Sequence, residues 1–322
     1  MTLAIPTRSH LSAAEMRGPV AETAELLADL QHTILGEVRF DAYSRMLYST
    51  DASLYQIQPI GVVIPKNADD VQAALEIAAR HKIPVLPRGG GSSLAGQAVG
   101  AALVIDVSKY MNNIVGIDAE ARTVRVQPGM TVGVLNATLS KLGLMLGPDP
   151  ASAERATVGG SIGNNATGSH SILYGMMADN VEEVAVVLAD GSPARFGPVA
   201  PGDLAARGRG DSLEARIYRE LPGLIDGLTA RIVERWPKHW RRASGYNLDR
   251  LAAALLPPDQ RSRLNPSSPF RPDVVDPQRI DRFNLAQLIT GSEGTLAAIT
   301  EATLRLVPKP KKTGLAVVHF DR

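Results

Sequence analysis

Residues 87–100 read PRGGGSSLAGQAVG: three consecutive glycines, two serines, a further glycine and no lysine. Gly91 and Gly96 have the glycine spacing of a nucleoside-triphosphate loop, which continues with Lys and Ser or Thr to hold terminal phosphates and magnesium. Gln97 and Ala98 stand there instead, which argues against triphosphate hydrolysis. The dinucleotide fingerprint of doubly wound sheets fails as well. Leu94 occupies the place of its third glycine, and a strand-like LVIDV (103–107) follows where that fingerprint needs a helix. What remains is a strand–loop–strand unit with four glycines and two serines in the eight positions 89–96. Glycine permits close approach of the backbone, and consecutive amide N–H groups form a concave nest for an anion without any helix. The stretch is expected to bind phosphate.

Outward from this loop, apolar runs alternate with helical periodicity. PIGVVIP (59–65), IPVLP (83–87) and AALVIDVS (101–108) read as strands. NADDVQAALEIAARH (67–81) reads as a helix with polar N-cap candidates and Val71, Leu75 and Ala78 on one face. NIVGID (113–118) and ARTVRVQPG (121–129) read as two strands about a polar turn, and TVGVLNATLSKLG (131–143) as a helix closed by glycine. VEEVAVVLADGSPARF (181–196) is a hairpin signal with an Asp-Gly turn. Residues 203–256 look helical and polar, 257–282 look like a Pro- and Arg-rich insertion, and 295–308 return to strand character. Near the N-terminus, Leu26, Leu27, Leu30 and Ile34 form a helical stripe, read as core packing. Leu315–Phe320 reads as a strand without a partner behind it, so a further domain is expected to follow.

The 322 residues are 44% hydrophobic, enough for a sizeable core, and carry a net charge of +1. Neither that balance nor any basic run interleaved with aromatics points to nucleic acid. Without cysteine, the chain itself offers no disulfide, thiolate zinc site or cysteine-held iron–sulfur cluster. No apolar run reaches the ~18–20 residues of a transmembrane segment. No histidine pair shows ligand spacing on one element, so no metal site is expected; a cytoplasmic chain is.

A second polar, glycine-rich stretch, GPDPASAERATVGGSIGNNATGSHSILYG (147–175), taken with the first loop suggests a long ligand lying across two surfaces; a third, GSEGTLAAIT (291–300), again couples glycines to a strand. In this order the three resemble the flavin-binding domain of the vanillyl-alcohol oxidase / p-cresol methylhydroxylase (PCMH) superfamily. The resemblance is to its FAD-linked 2-hydroxy-acid dehydrogenases of the D-lactate, D-2-hydroxyglutarate and glycolate-oxidase-subunit types. RRASGYNL (241–248) and FNLAQLITGSEGTLAAITEATLRL (283–306) look like that group's GYNL/GYDL and GSEGT elements.

The resemblance implies an α+β, PCMH-type fold of two subdomains with FAD between them. The expected division is an N-terminal helical extension (1–40), subdomain 1 (41–110), and subdomain 2 (111–310) with a helical insertion at about 203–282. Residues 311–322 would begin a substrate domain. By the same resemblance, Arg88, Gly89, Gly90, Gly91, Ser92, Ser93, Gly96 and Gln97 would surround the FAD pyrophosphate. Pro148, Asp149, Ser152, Thr157, Gly159, Gly160, Gly163, Asn164, Asn165, Gly168, Ser169, Tyr174 and Gly175 would line the other side, with Glu293, Gly294 and Ile299 approaching from the third stretch. Covalent members of the superfamily link flavin to a histidine in the first loop; Ser92 and Ser93 stand there, so FAD is expected to be non-covalent. His170 is read as structural, whereas Arg241, Arg242 and Tyr246 are weighed as neighbours of an anionic substrate.

The implied activity is oxidation of a small 2-hydroxy acid by hydride transfer to flavin. The catalytic base and the arginines that bind the substrate carboxylate are expected in the further domain, so this chain alone is expected to bind FAD without turning over substrate. The electron acceptor stays open among quinone, cytochrome, electron-transfer flavoprotein and iron–sulfur partners. Peripheral association with the inner membrane through such a partner also stays open. Alternatives on the same residues are a non-catalytic FAD-carrying subunit of a multi-chain oxidase, or a sugar-lactone or alcohol oxidase.

Overall fold

The computed structural model describes residues 20–261, 264, 282–312, 314 and 316–320. Its first layer comprises α1 (Val20–Thr33), β1 (Glu37–Arg39), α2 (Ala42–Leu47), β2 (Gly61–Ile64), α3 (Ala68–Arg80), β3 (Val85–Arg88) and β4 (Leu103–Asp106). The strands pair in the order β1-β2-β4-β3. β1 runs antiparallel to β2, while β2 and β3 both run parallel to β4. Every residue of β2 and β4 is buried, which is why both read as unbroken apolar runs rather than alternating ones. α3 starts where Asn67 accepts a hydrogen bond from the Asp70 amide. Asp70, itself buried, accepts from the amides of Leu35, Gly36 and Lys66 and so ties the α1–β1 turn to α3. Leu26, Leu30 and Ile34 of the predicted stripe are buried in this layer's core.

Because β3 and β4 are parallel neighbours, the chain between them must recross the sheet, a task usually given to a helix. Residues 89–102 do it without one. The glycine stretch therefore leaves the carboxyl end of β3, the edge where open parallel sheets place ligands.

The second layer is a five-stranded antiparallel sheet ordered β5-β6-β12-β8-β9. These strands are β5 (Ile114–Asp118), β6 (Thr123–Val126), β8 (Val181–Leu188), β9 (Pro193–Phe196) and β12 (Ala297–Arg305). Two-residue ribbons pair β7 (Leu144–Met145) with β13 (Val307–Pro308), and β10 (Pro198–Val199) with β11 (Phe283–Asn284). The layer's helices are α4 (Val132–Leu139), α5 (Val158–Gly163), α6 (Ser171–Tyr174), α7 (Met177–Asn180), α8 (Leu204–Arg207), α9 (Leu213–Arg235), α10 (Leu248–Leu255), α11 (Pro258–Arg261) and α12 (Ala286–Ile289) among the described residues. β12 alternates buried and half-buried residues, as a strand with one covered face must. Tyr218, Ile225 and Ile232 of α9 and Leu251 of α10 join Val124, Val184 and Leu304 of the sheet in one core.

The layers are not independent. Val187 of β8 and Ala298 of β12 pack into the cluster that holds Leu75 and Ile77 of α3, so this helix lies between the two sheets. The architecture is α+β, as expected. One reading changes. Residues 316–320 form no strand, and Val317, Val318 and Phe320 are exposed; Leu315 lies outside the described residues. Within the 147–175 stretch the chain folds α5 and α6, with turns at 151–155, 164–165 and 169–170. Of the Pro- and Arg-rich 257–282 segment, 262, 263 and 265–281 also lie outside the described residues.

Candidate functional site

The three glycine-rich stretches meet in one cleft. Its walls include Arg88–Ser93 and Gln97 from the β3–β4 loop, and Ser152, Thr157, Gly159, Gly160, Gly163 and Asn164 at and around α5. Glu293, Gly294 and Ile299 come from the turn into β12 and its first half. The contacts between walls are close. A Cβ on Gly89 would lie 2.0 Å from Thr157 Oγ1, and one on Gly90 would lie 2.1 Å from the Arg155 carbonyl oxygen. The amides of Gly291 and Glu293 donate to the carbonyls of Ile162 and Gly163, at 3.0 and 2.9 Å. Glu293 Oε1 accepts from Gln97 Nε2 at 2.9 Å and from Asn164 Nδ2 at 3.2 Å, so one carboxylate clasps all three segments.

The floor of this cleft suits a diphosphate. Among the described residues, the backbone amides of Gly89, Gly90, Gly91, Ser92 and Ser93 donate to no acceptor. Five consecutive unpaired amides are costly unless a ligand or solvent receives them, and Gly91 at φ +61° gives the run the turn that a nest requires. The Ser161 hydroxyl, buried against the same cleft, has no hydrogen-bond partner among the described residues either. Elsewhere the wall is apolar: Ile105, Val107, Pro128, Ala297, Ala298 and Ile299. A polar floor with an apolar flank is what a flavin dinucleotide requires, a charged bridge beside a flat hydrophobic ring.

A family model described as FAD binding domain matches residues 59–197, a span that holds the first two glycine stretches. Residues 59–197 are a PCMH-type FAD-binding domain. The chain is 32% identical over 295 residues to the D-2-hydroxyglutarate dehydrogenase of Escherichia coli K12, covering 90% of this chain and 26% of that protein. It is 32% identical to the glycolate oxidase subunit GlcD of Bacillus subtilis 168, covering 85% of this chain and 43% of the relative. It is 27% identical to a mitochondrial D-lactate dehydrogenase (cytochrome) of Saccharomyces cerevisiae, covering 87% and 35%. The chain thus spans about a quarter of the E. coli dehydrogenase and less than half of each of the others. A solved alkyldihydroxyacetonephosphate synthase shares the fold, with a TM-score of 0.58 at 19% identity over 90% of this chain and 41% of that one.

Within the FAD-binding domain the predicted residues divide. Gly96, Pro148, Asp149, Asn165, Gly168, Ser169, Tyr174 and Gly175 stand outside the cleft lining. Their contacts explain why. Asn165 is buried and uses its side chain to accept from the Ala178 amide and to donate to the Arg242 carbonyl. Asp149 accepts from Ser169 Oγ and from the His170 amide and ring, which gives His170 a structural partner. Gly96 packs on Tyr55, and Gly175 turns the chain between α6 and α7.

Arg88 lines the cleft but its charge is committed inward. Its guanidinium donates to the carbonyls of Tyr48, Thr50 and Ala98 and lies over the Tyr48 ring. Burial pushes it below the ordinary arginine value, and the nearby Asp106, Tyr48 and Asp51 oppose that. Burial, then Asp106, holds the Tyr48 hydroxyl well above the ordinary phenol value. These contacts make Arg88 a strut of the loop. Arg242 is removed from the substrate role weighed for it: it pairs with Asp249, and both side chains are buried. Sequence reasoning missed the apolar lining of Ile105, Val107, Pro128 and Ala298, together with Ala98 and Ala243. Small and aliphatic residues carry no chemical signature; only the folded chain collects them.

Among the described residues, no helix is long and apolar enough to cross a membrane.

Proposed function

We propose that this chain is the cofactor-binding part of an FAD-dependent dehydrogenase of small 2-hydroxy acids. The observation that carries the reading is the extent of the matches. Likeness to hydroxy-acid enzymes covers 85–90% of the chain, about twice the 59–197 span that the FAD-binding match covers.

When bound, FAD supplies a two-electron acceptor for the hydride on the carbon that bears the substrate hydroxyl. The residues of this chain do the rest of the work available to them. The amides of 89–93 hold the diphosphate, and the unpaired Ser161 hydroxyl adds a polar contact. Gly89 and Gly90 keep side chains out of the contact between the loop and the α5 wall. Gln97, Asn164 and Glu293 clasp the walls, and the apolar flank excludes water from the ring. Attachment is non-covalent, with Ser92 and Ser93 in the loop region that carries the linking histidine in covalent members. The hydroxyl proton passes to a base supplied by a part of the enzyme corresponding to regions of the relatives that this chain does not span; the electron acceptor is a separate partner.

The test is anaerobic mixing of the FAD-loaded enzyme, with the part that supplies the base present, with D-2-hydroxyglutarate, D-lactate and glycolate. Bleaching of the visible flavin band by at least one of them is expected, and acid should release the flavin into solution. A flavin that stays oxidised with all three but is bleached by a sugar lactone or a primary alcohol would replace this reading.

A further inference from the structure

A 2-hydroxy acid is an anion, so its site needs a cation or free donors for the carboxylate. The arginines around the cleft can be sorted by what already occupies them. Arg88 is used by three carbonyls. Arg242 is buried against Asp249, and Arg250 against Asp179. Arg155 is exposed, but its carbonyl abuts Gly90, which places its backbone at the nest. Arg241 differs from all four. It is exposed, it has no carboxylate partner among the described residues, and its Nη2 donates to Thr167 Oγ1 at 2.8 Å. Thr167 lines the cleft, and so does Ala243, two residues along the same loop.

We infer that Arg241 is the substrate-carboxylate residue of this protein, and that residues 241–246 form the lip of the substrate site; this rests on the hydroxy-acid reading above. Position separates it from the phosphate nest. Thr157 caps the start of α5 and abuts Gly89, whereas Thr167 lies beyond the other end of that helix. Six helical residues span about 9 Å at 1.5 Å each, so Arg241 addresses a different part of the cleft from the amides of 89–93. Chemistry agrees. A guanidinium presents five N–H donors in a planar fork, and one bond to a threonine leaves donors for a bidentate carboxylate.

The lip is also held rigidly, as a recognition element must be. Arg242 is anchored by Asp249, by its carbonyl to Asn165 Nδ2 and by its amide to Met176 Sδ. Asn247 donates to the Thr290 carbonyl at 2.7 Å. The inward commitment of Arg242 leaves its neighbour at the surface. Tyr246, at the far end of the lip, shares a 2.9 Å hydrogen bond with Thr295 Oγ1 and stays half-exposed, a second hydroxyl at the same rim.

The test compares Arg241→Ala and Arg241→Lys with the unaltered sequence, all in the FAD-loaded enzyme that includes the part supplying the base. Two quantities are read: KM for the hydroxy acid that bleaches the flavin, and the dissociation constant of oxalate, a non-reacting dicarboxylate, from the perturbation of the flavin spectrum. Arg241→Ala should retain its flavin and raise both by about 10- to 100-fold, the usual worth of a charge-assisted hydrogen-bond pair; Arg241→Lys should fall between. Unchanged KM and oxalate binding in Arg241→Ala would overturn the assignment while leaving the hydroxy-acid reading intact. Flavin loss from an otherwise folded Arg241→Ala would also overturn it, assigning the side chain to the cofactor phosphates. Arg241-dependent oxalate binding in a protein that oxidises no hydroxy acid would uphold the anion site and sink the substrate reading.

Discussion

Gly90 shows how one hydrogen atom in place of a methyl group sets the cleft. A Cβ there would lie 2.1 Å from a backbone oxygen, and a backbone atom cannot swing aside as a side-chain tip can. Gly90→Ala must therefore push the loop off the segment before α5, at about 1–3 kcal/mol for a forced shift in a packed contact. FAD affinity should fall by roughly tenfold or more. Gly100, later in the same connection, provides the contrast. Its added Cβ would meet only Leu86 Cδ2 at 3.7 Å, an ordinary contact. Gly100→Ala should bind FAD as the unaltered protein does. Titration by flavin fluorescence decides it, and equal affinities for the two variants would remove the close-approach argument. At this scale the sequence was legible where glycine and serine cluster. It was silent on the packing of Arg88, because nothing in PRGGG reveals that the guanidinium folds back onto the carbonyls of residues 48, 50 and 98. It was equally silent on Ala243 and Ala298, whose place in the cleft is a product of packing alone.

Elements were readable in proportion to how much of their own burial they carry. β2, β3 and β4 announce themselves as short apolar runs, because each pairs within a covered parallel sheet. α5 does not, since VGGSIG holds three glycines in six residues and glycine disfavours helix. Thr157 caps it and the surrounding walls hold it, an override of propensity by tertiary contact. β1 is only three residues long and gave no periodic signal, yet it forms one edge of the first sheet. Its stability has an identifiable charge component. Glu37 accepts from Lys109 Nζ, Tyr110 Oη and Arg39, with Lys109 the largest influence, and its carboxyl is held down to about 2. The folded value lies below the ordinary glutamate value of about 4.3. The contribution is therefore present above that value and is lost as pH falls towards about 2. Glu37→Gln should be less stable than the unaltered protein near neutrality, and its melting temperature should fall less steeply between about pH 5 and pH 3. Parallel pH profiles would show that these contacts do not anchor β1.

For the whole molecule, the cleft exists because two layers share α3 and because Glu293 closes the space between them. The residues it joins are 196 and 129 positions away in the chain. No local pattern encodes such a meeting, which is why GSEGT could be read as a third cofactor segment only through resemblance. Glu293 also sits at φ +52°, a left-handed conformation that costs a non-glycine residue about 1 kcal/mol. The strain persists because the carboxylate and the backbone are both held: the amide donates to the Gly163 carbonyl while Oε1 receives Gln97 and Asn164. Substitutions separate the two terms. Glu293→Ala keeps the strained backbone and loses the clasp. Glu293→Gly loses the clasp but releases the strain, so it should be more stable than the alanine variant by about 1 kcal/mol in urea titrations. Both should bind FAD more weakly, by a similar factor, because in both the loop wall and the α5 wall are no longer joined. Glu293→Gln retains an acceptor oxygen and should stay closest to the unaltered protein. If alanine and glycine at this position prove equally stable, the left-handed strain is not real. If FAD affinity is untouched in both, the carboxylate does not hold the two layers around the cofactor.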